Sequence, residues 1–257
     1  MNITRQMLNG LTAILLFCAS SVLAEEKTWT VGERTLPLPA GASPQLQAAL
    51  GNLPQPNPAD FLRYPKSAEE WNAIIEPHNA SRDALVKQAA PQLGVTIKED
   101  RIGDAVIRHV TPAKLSPEFE DDIFLHTHSG GYVLNAGLAG TPEAVLIASR
   151  VGIKVIAIDY RMPPAHPFPA AVDDVVTVYQ HYLKQYKPKN IVLGGSSAGG
   201  GLALAAIHKL KELKIPLPAA LFAGSPWADL TKTSDSLYTL EGIDRGIVTY
   251  DGTLESS

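Results

Sequence analysis

A three-layer α/β sandwich with a mostly parallel sheet and an N-terminal helical cap is the fold class this sequence predicts. Three observations lead there. From Val95 onward, short apolar runs alternate with segments of helical period, the pattern of parallel strands covered on both faces by helices. A glycine-serine turn joins one such run to a helix near residues 194–201. Residues 25–92 lack the alternation and are rich in Pro, Gln and Asn, so they read as a cap segment, with residues 93–257 as the core.

Taken in order, "LPLPAGASPQ" and "LPQPNPADF" are extended or turn segments, because proline fixes φ and removes a donor. "SAEEWNAIIEPHNASRDALVKQAA" reads as a helix with Ser67 as N-cap and Glu70 three residues on, and Pro77 is expected to break or kink it. "VTIKED" and "DAVIRHV" flank Ile102-Gly103 as an alternating hairpin. "DDIFLHTH" is a third strand. "TPEAVLIASRVG" is a helix opening at Thr141-Pro142 and closing at Gly152. "KVIAIDY" is a buried strand, "FPAAVDDVVTVYQHYLKQY" an amphipathic helix, "NIVLGG" the next strand and "AGGGLALAAIHKLKEL" its helix. "PAALFAG", nearly all apolar, reads as an interior strand. There is no internal repeat.

The composition is that of an ordinary globular chain, 45% hydrophobic and 19% charged over 257 residues, enough for one large core. A formal net charge of -4 without a basic block excludes a nucleic-acid partner. "MNITRQMLNGLTAILLFCASSVLA" has an early arginine, a short apolar stretch and small residues at 22 and 24. It reads as a signal peptide over residues 1–24, with cleavage before Glu25 and a periplasmic or secreted product. The apolar run is too short to span a bilayer. The single cysteine, Cys18, falls inside that segment, leaving no disulfide, thiolate nucleophile or cysteine metal site.

Gly195-Ser196-Ser197-Ala198-Gly199 fits G-x-S-x-G between a strand and a helix. The nucleophile of that motif sits on a strained turn with its hydroxyl above the strand ends, and glycines leave room for the backbone. The spacing makes Ser197 the candidate nucleophile and Ala198 N–H one donor to a developing oxyanion. A tightly packed turn or a phosphate loop is the competing reading. Neither phosphate motif fits: no Lys-Ser/Thr follows, and the glycine spacing is not G-x-G-x-x-G. "HTHSGGYV" ends the third strand, and the N–H groups of such a loop supply the rest of an oxyanion hole. His126 and His128 are spaced as a metal pair, but no third His or carboxylate follows nearby, so no metal is expected.

"HSGGY", "DYRMPPAHPFPAAVDD", "GSSAGGGLA" and "SPWADLT" occur in the order and spacing of the hormone-sensitive lipase-like (family IV) serine esterases, which this chain resembles from roughly Asp60 to Asp244. The resemblance implies an α/β-hydrolase fold with a helical cap, hydrolysis of short- to medium-chain acyl esters through an acyl-enzyme, and no cofactor. The family's oxyanion glycines map onto Gly130 and Gly131, with Ser129 where glycine is usual. Ser196 stands where the family carries Asp. His166 is implied to pack the loop beside the pocket.

A serine needs a histidine to take its proton and a carboxylate to orient that histidine. In this fold both follow the serine in the chain. The only histidine after Ser197 is His208, on the helix that leads away from the turn. Asp229, Asp235, Asp244 and Asp251 are the carboxylates in that stretch to which the resemblance gives no role. The expectation is a chain missing the last strands of a longer esterase and inactive by itself, open at one sheet edge and able to associate with itself. The alternative is a non-catalytic remnant that binds a ligand or partner.

Overall fold

The computed structural model describes residues 37–53, 65–231 and 233–239. The segment read as a signal peptide, Asp244, Asp251 and the rest of the tail lie outside them. The chain divides into two compact units, 1–54 and 55–257. In the first, helix α1 (Pro44–Gly51) starts at Ser43, whose hydroxyl accepts the Leu46 N–H.

The second unit opens with helix α2 (Ala68–Gln92). Ser67 caps it as expected, accepting the Glu70 N–H, while Glu70 reaches back to the Lys66 N–H. Pro77 does not break it: the helix runs through both Pro77 and Pro91. Proline removes the N–H that would bond the Ala73 carbonyl, but Ala73 and Pro77 are both exposed, so water can satisfy that carbonyl. Val86 and Ala90 are buried, so α2 contributes directly to the core of this unit.

Strands β1 (Val95–Ile102) and β2 (Ala105–Pro112) form the predicted hairpin, closing on a two-residue turn with Gly103 at φ 61°. Then come β3 (Ile123–Thr127), α3 (Pro142–Val151), β4 (Lys154–Asp159), α4 (Ala170–Tyr182), β5 (Ile191–Ser196), α5 (Ala198–Glu212), β6 (Ala220–Gly224) and the short α6 (Asp235–Thr239). The sheet order is β1-β2-β4-β3-β5-β6. The hairpin joins antiparallel through β2 and β4, and the remaining neighbours are parallel.

Strand alternation assigns the two faces. Ile123 and Leu125 pack with Val175, Tyr179, Leu202 and Leu210 beneath α4 and α5. Phe124 packs with Val86, Ala144 and Ala148 beneath α2 and α3. Side chains of this size contribute roughly 2 kcal/mol each when fully buried. The chain leaves β3 for β4 on one side and crosses back to β5 on the other. The crevice for a ligand in such a sheet lies beyond the carboxyl ends of the strands at that reversal. β6, apolar enough for an interior strand, pairs only with β5 among the described residues, and Leu221 and Phe222 are exposed, so it lies at the open sheet edge that was expected.

Candidate active site

Thr127, Asp159, Ser196 and Gly224 end the four parallel strands at one edge of the sheet. Ser197 follows β5 at φ 56° and ψ -124°, a backbone conformation that costs a non-glycine residue on the order of 1–3 kcal/mol. The strain is held from both sides: Ser197 N–H donates to Gly224 O, and Ser197 O accepts from Gly201 and Trp227 N–H. Helix α5 begins at the next residue, Ala198. The first-turn N–H groups of a helix have no carbonyl within it. The helix dipole adds positive potential there.

The loop after β3 lies against this turn. Thr127 Oγ1 donates to Gly199 O at 2.8 Å, and a Cβ built on Gly195 or Gly199 would fall 1.8 or 2.0 Å from Thr127 O. Glycine is therefore required at both positions by the approach of β3 and not by φ. Gly130 has φ 126° and Gly131 φ 60°. Two loop N–H groups, Val133 and Leu134, turn back onto Gly130 O. Tyr132 at φ 61° follows, and its ring lies beside that of Trp227.

His128 is buried beneath this loop. Its Nδ1 donates to Ser129 O at 2.8 Å, and its ring stacks on Tyr160 at 4.1 Å. The Tyr160 hydroxyl donates to His128 O. Desolvation pulls the His128 pKa down to about 4 despite the Ser129 carbonyl, so the ring is neutral at pH 7. It supports the loop.

Three residues that sequence reasoning missed hold the loop in place, and a fourth, Glu143, joins the strands that flank it. Asn135, at φ 71° and buried, donates from Nδ2 to Ser129 O at 2.8 Å. From α2, Asn79 Oδ1 accepts the Asn135 N–H at 2.9 Å, and Arg82 Nε donates to Ala139 O. Glu143, in the first turn of α3, accepts from both Ser196 Oγ and His126 Nε2. The departures at Ser129 and Ser196 were the only local hints that new partners were needed.

All seven histidines fall among the described residues. None is bonded to Ser197 Oγ, which makes no hydrogen bond there. His208 is exposed, about 16 Å along α5 from the turn. His126 is spent on Glu143, and His109 and His181 face Asp100 and Gln185. His166 is exposed in the loop after β4, where its N–H donates to Met162 O. Asp229 is committed locally, accepting from Thr231 and Thr233. Those bonds hold its carboxyl below the ordinary value. No group of three metal-ligating side chains occurs among the described residues.

Comparison with known proteins gives a consistent family. The profile of the alpha/beta hydrolase fold matches residues 124–253. An acetyl-hydrolase of Streptomyces hygroscopicus is 38% identical over 162 residues, covering 62% of this chain and 52% of that protein. The crystal structure of an esterase, E25, superposes with a TM-score of 0.83 at 46% identity, covering 90% of this chain and 71% of that one. An esterase from the bacterial hormone-sensitive lipase family superposes with a TM-score of 0.62 at 27% identity, covering 83% and 67% of the two chains. The chain spans about half the length of the curated relatives it matches.

Proposed function

Because this chain belongs to the hormone-sensitive-lipase-like branch of the α/β-hydrolase fold family, we propose that it carries the nucleophile and oxyanion hole of a serine carboxylic-ester hydrolase. Ser197 Oγ attacks the acyl carbonyl as a base takes its proton. The N–H groups of Gly130, Gly131 and Ala198 receive the resulting oxyanion, each worth about 3 kcal/mol at the transition state. Collapse expels the alcohol, which regains that proton, and water then releases the acid from the acyl-enzyme. The observation that supports this most directly is the strained Ser197 backbone at the head of α5, beside the glycine loop that ends β3. Similarity to the acetyl-hydrolase of Streptomyces hygroscopicus favours a short acyl group.

None of the seven histidines is bonded to Ser197 Oγ among the described residues, which favours a base contributed by a longer form of the chain. The 257 residues alone are then expected to hydrolyse esters slowly. In the absence of the base, turnover in a comparable triad falls by about a millionfold. Residues 1–24 are proposed to export the protein, leaving a mature chain that begins at Glu25.

Hydrolysis of p-nitrophenyl acetate and butyrate tests the reading on two forms, the 257 residues and a chain extended to the length of its relatives. The extended chain should turn both esters over and lose this with Ser197→Ala. Fast, Ser197-dependent turnover by the 257 residues would contradict the external base. No hydrolysis by the extended chain would overturn the esterase assignment.

A further inference from the structure

Ser196 stands one residue before the proposed nucleophile and bonds away from it. Its hydroxyl donates to Glu143 Oε1 at 2.5 Å, and its backbone N–H is directed at the same carboxylate. The other oxygen, Oε2, accepts from His126 Nε2 at 2.9 Å. Partial burial pushes the Glu143 carboxyl up, but the bonds from His126 and Ser196 outweigh it and hold the group below its ordinary value. An ionised carboxylate only accepts, so His126 Nε2 carries the proton. His126 is fully buried and its Nδ1 has no partner, so this one bond fixes the ring.

The placement follows from strand alternation. Phe124 packs on the α2–α3 face, so His126, two residues on, points there too. Val192 packs on the same face of β5, which brings Ser196 to it four residues later. The first turn of α3 lies over both, where the helix dipole favours a negative charge. The ladder between β3 and β5 ends at His126 and Gly194. The residues that would perform the chemistry, Gly130, Gly131 and Ser197, lie beyond that last backbone pair. There, Glu143 joins the ends of the two strands on one face, and Thr127 with Gly199 ties β3 to the first turn of α5.

We propose that Glu143 is a positioning residue for acyl transfer: by holding Ser196 and His126 together, it sets the spacing between Ser197 and the Gly130–Gly131 loop. The inference rests on the esterase reading for its kinetic consequence but not for its geometry.

Three variants of the extended enzyme test it, read by turnover of p-nitrophenyl butyrate and by NMR. Ser196→Ala and Glu143→Ala are expected to lower kcat by about tenfold or more, with KM changing by less than about twofold. Glu143→Gln should recover most of that loss. Its amide oxygen accepts from His126 Nε2 and its amide group donates to the Ser196 hydroxyl oxygen, which accepts as well as donates. Unchanged kcat in Ser196→Ala and Glu143→Ala overturns the proposal, as does a Glu143→Gln variant no better than Glu143→Ala. If Glu143→Ala does not fold, Ser196→Ala and Glu143→Gln decide the matter. The NMR arm needs no turnover. Removing the Ser196 hydroxyl should shift the His126 Nε2 proton and the Gly130 and Gly131 amide resonances. A protein that hydrolyses no ester but shows these shifts would sink the esterase reading and support the positioning link. Unshifted resonances would overturn the link, whatever the activity.

Discussion

His78 Nε2 lies 2.9 Å from Asn135 Oδ1, so helix α2 is bonded to the loop that carries the proposed oxyanion donors. Oδ1 only accepts, so His78 donates from Nε2. The Asn135 amide group spends its protons on Ser129. One side chain thus joins the cap helix to the residue beside Gly130. Replacing Asn135 with Gly keeps the left-handed backbone and deletes these bonds. It should lower kcat by roughly tenfold and stability by about 1–3 kcal/mol. Asn135→Ala should cost about 1 kcal/mol more, because Ala tolerates φ 71° poorly. Urea midpoints and steady-state kinetics on both variants separate the two contributions.

The turn at Ser197 makes a harsher demand. A methyl on Gly195 or Gly199 would meet the Thr127 carbonyl oxygen at 1.8 or 2.0 Å. That oxygen belongs to a central strand and cannot retreat without shifting β3. Ala at either position should cost more than about 3 kcal/mol and separate the glycine loop from Ser197. Gly137→Ala is the control: it has φ 76° and open space around the site, so it should cost only about 1–2 kcal/mol. Soluble yield and thermal midpoints distinguish these outcomes.

The strands and the elbow were legible because their signals are local: apolar runs, turn residues and G-x-S-x-G all lie within a dozen positions. The Ser67 cap was legible for the same reason. Glu143, Asn135 and His78 were not, since they have partners 53, 56 and 57 residues away and a Glu after Thr-Pro looks like ordinary helix-start chemistry. That the helix is not broken at Pro77 was not legible, because propensity alone says nothing about whether water can reach the carbonyl it orphans. β6 was legible as an apolar strand at an open sheet edge. A base was not legible in the stretch after Ser197, whose one histidine, His208, lies exposed along α5, and none of the seven histidines is bonded to Ser197 Oγ among the described residues.

His128 predicts a pH dependence of stability. Desolvation lowers its folded pKa from 6.5 to about 4, with His126 and Arg108 acting in the same direction and the Ser129 carbonyl and Asp159 opposing. Between pH 6.5 and pH 4 the unfolded chain binds a proton that the folded chain does not. Stability therefore falls as pH drops through that window, by about 3 kcal/mol in all. His128→Gln should flatten this part of the profile. Denaturant midpoints at steps from pH 7 to pH 4 give the slope, and an unchanged slope in the variant would assign it to other groups.

Asp159 closes the carboxyl end of β4 and holds two things at once. Its carboxylate accepts from Arg108 Nη1 at 2.9 Å and from the Gly137 N–H at 3.0 Å. Arg108 is buried, and its other partner, Glu99, is largely exposed. A buried ion pair adds little net stability when intact, because desolvation offsets the attraction, but removing one partner strands the other charge. Asp159→Ala should therefore cost about 3–5 kcal/mol and release the loop at Gly137. Glu99→Ala should cost under about 1 kcal/mol, since solvent screens that side of the guanidinium. Arg108→Met combined with Asp159→Leu should be less damaging than Asp159→Ala alone, because no unpaired charge remains in the core. A double-mutant cycle by chemical denaturation measures this. Additive costs at the two sites would mean that the pair does not act as a unit.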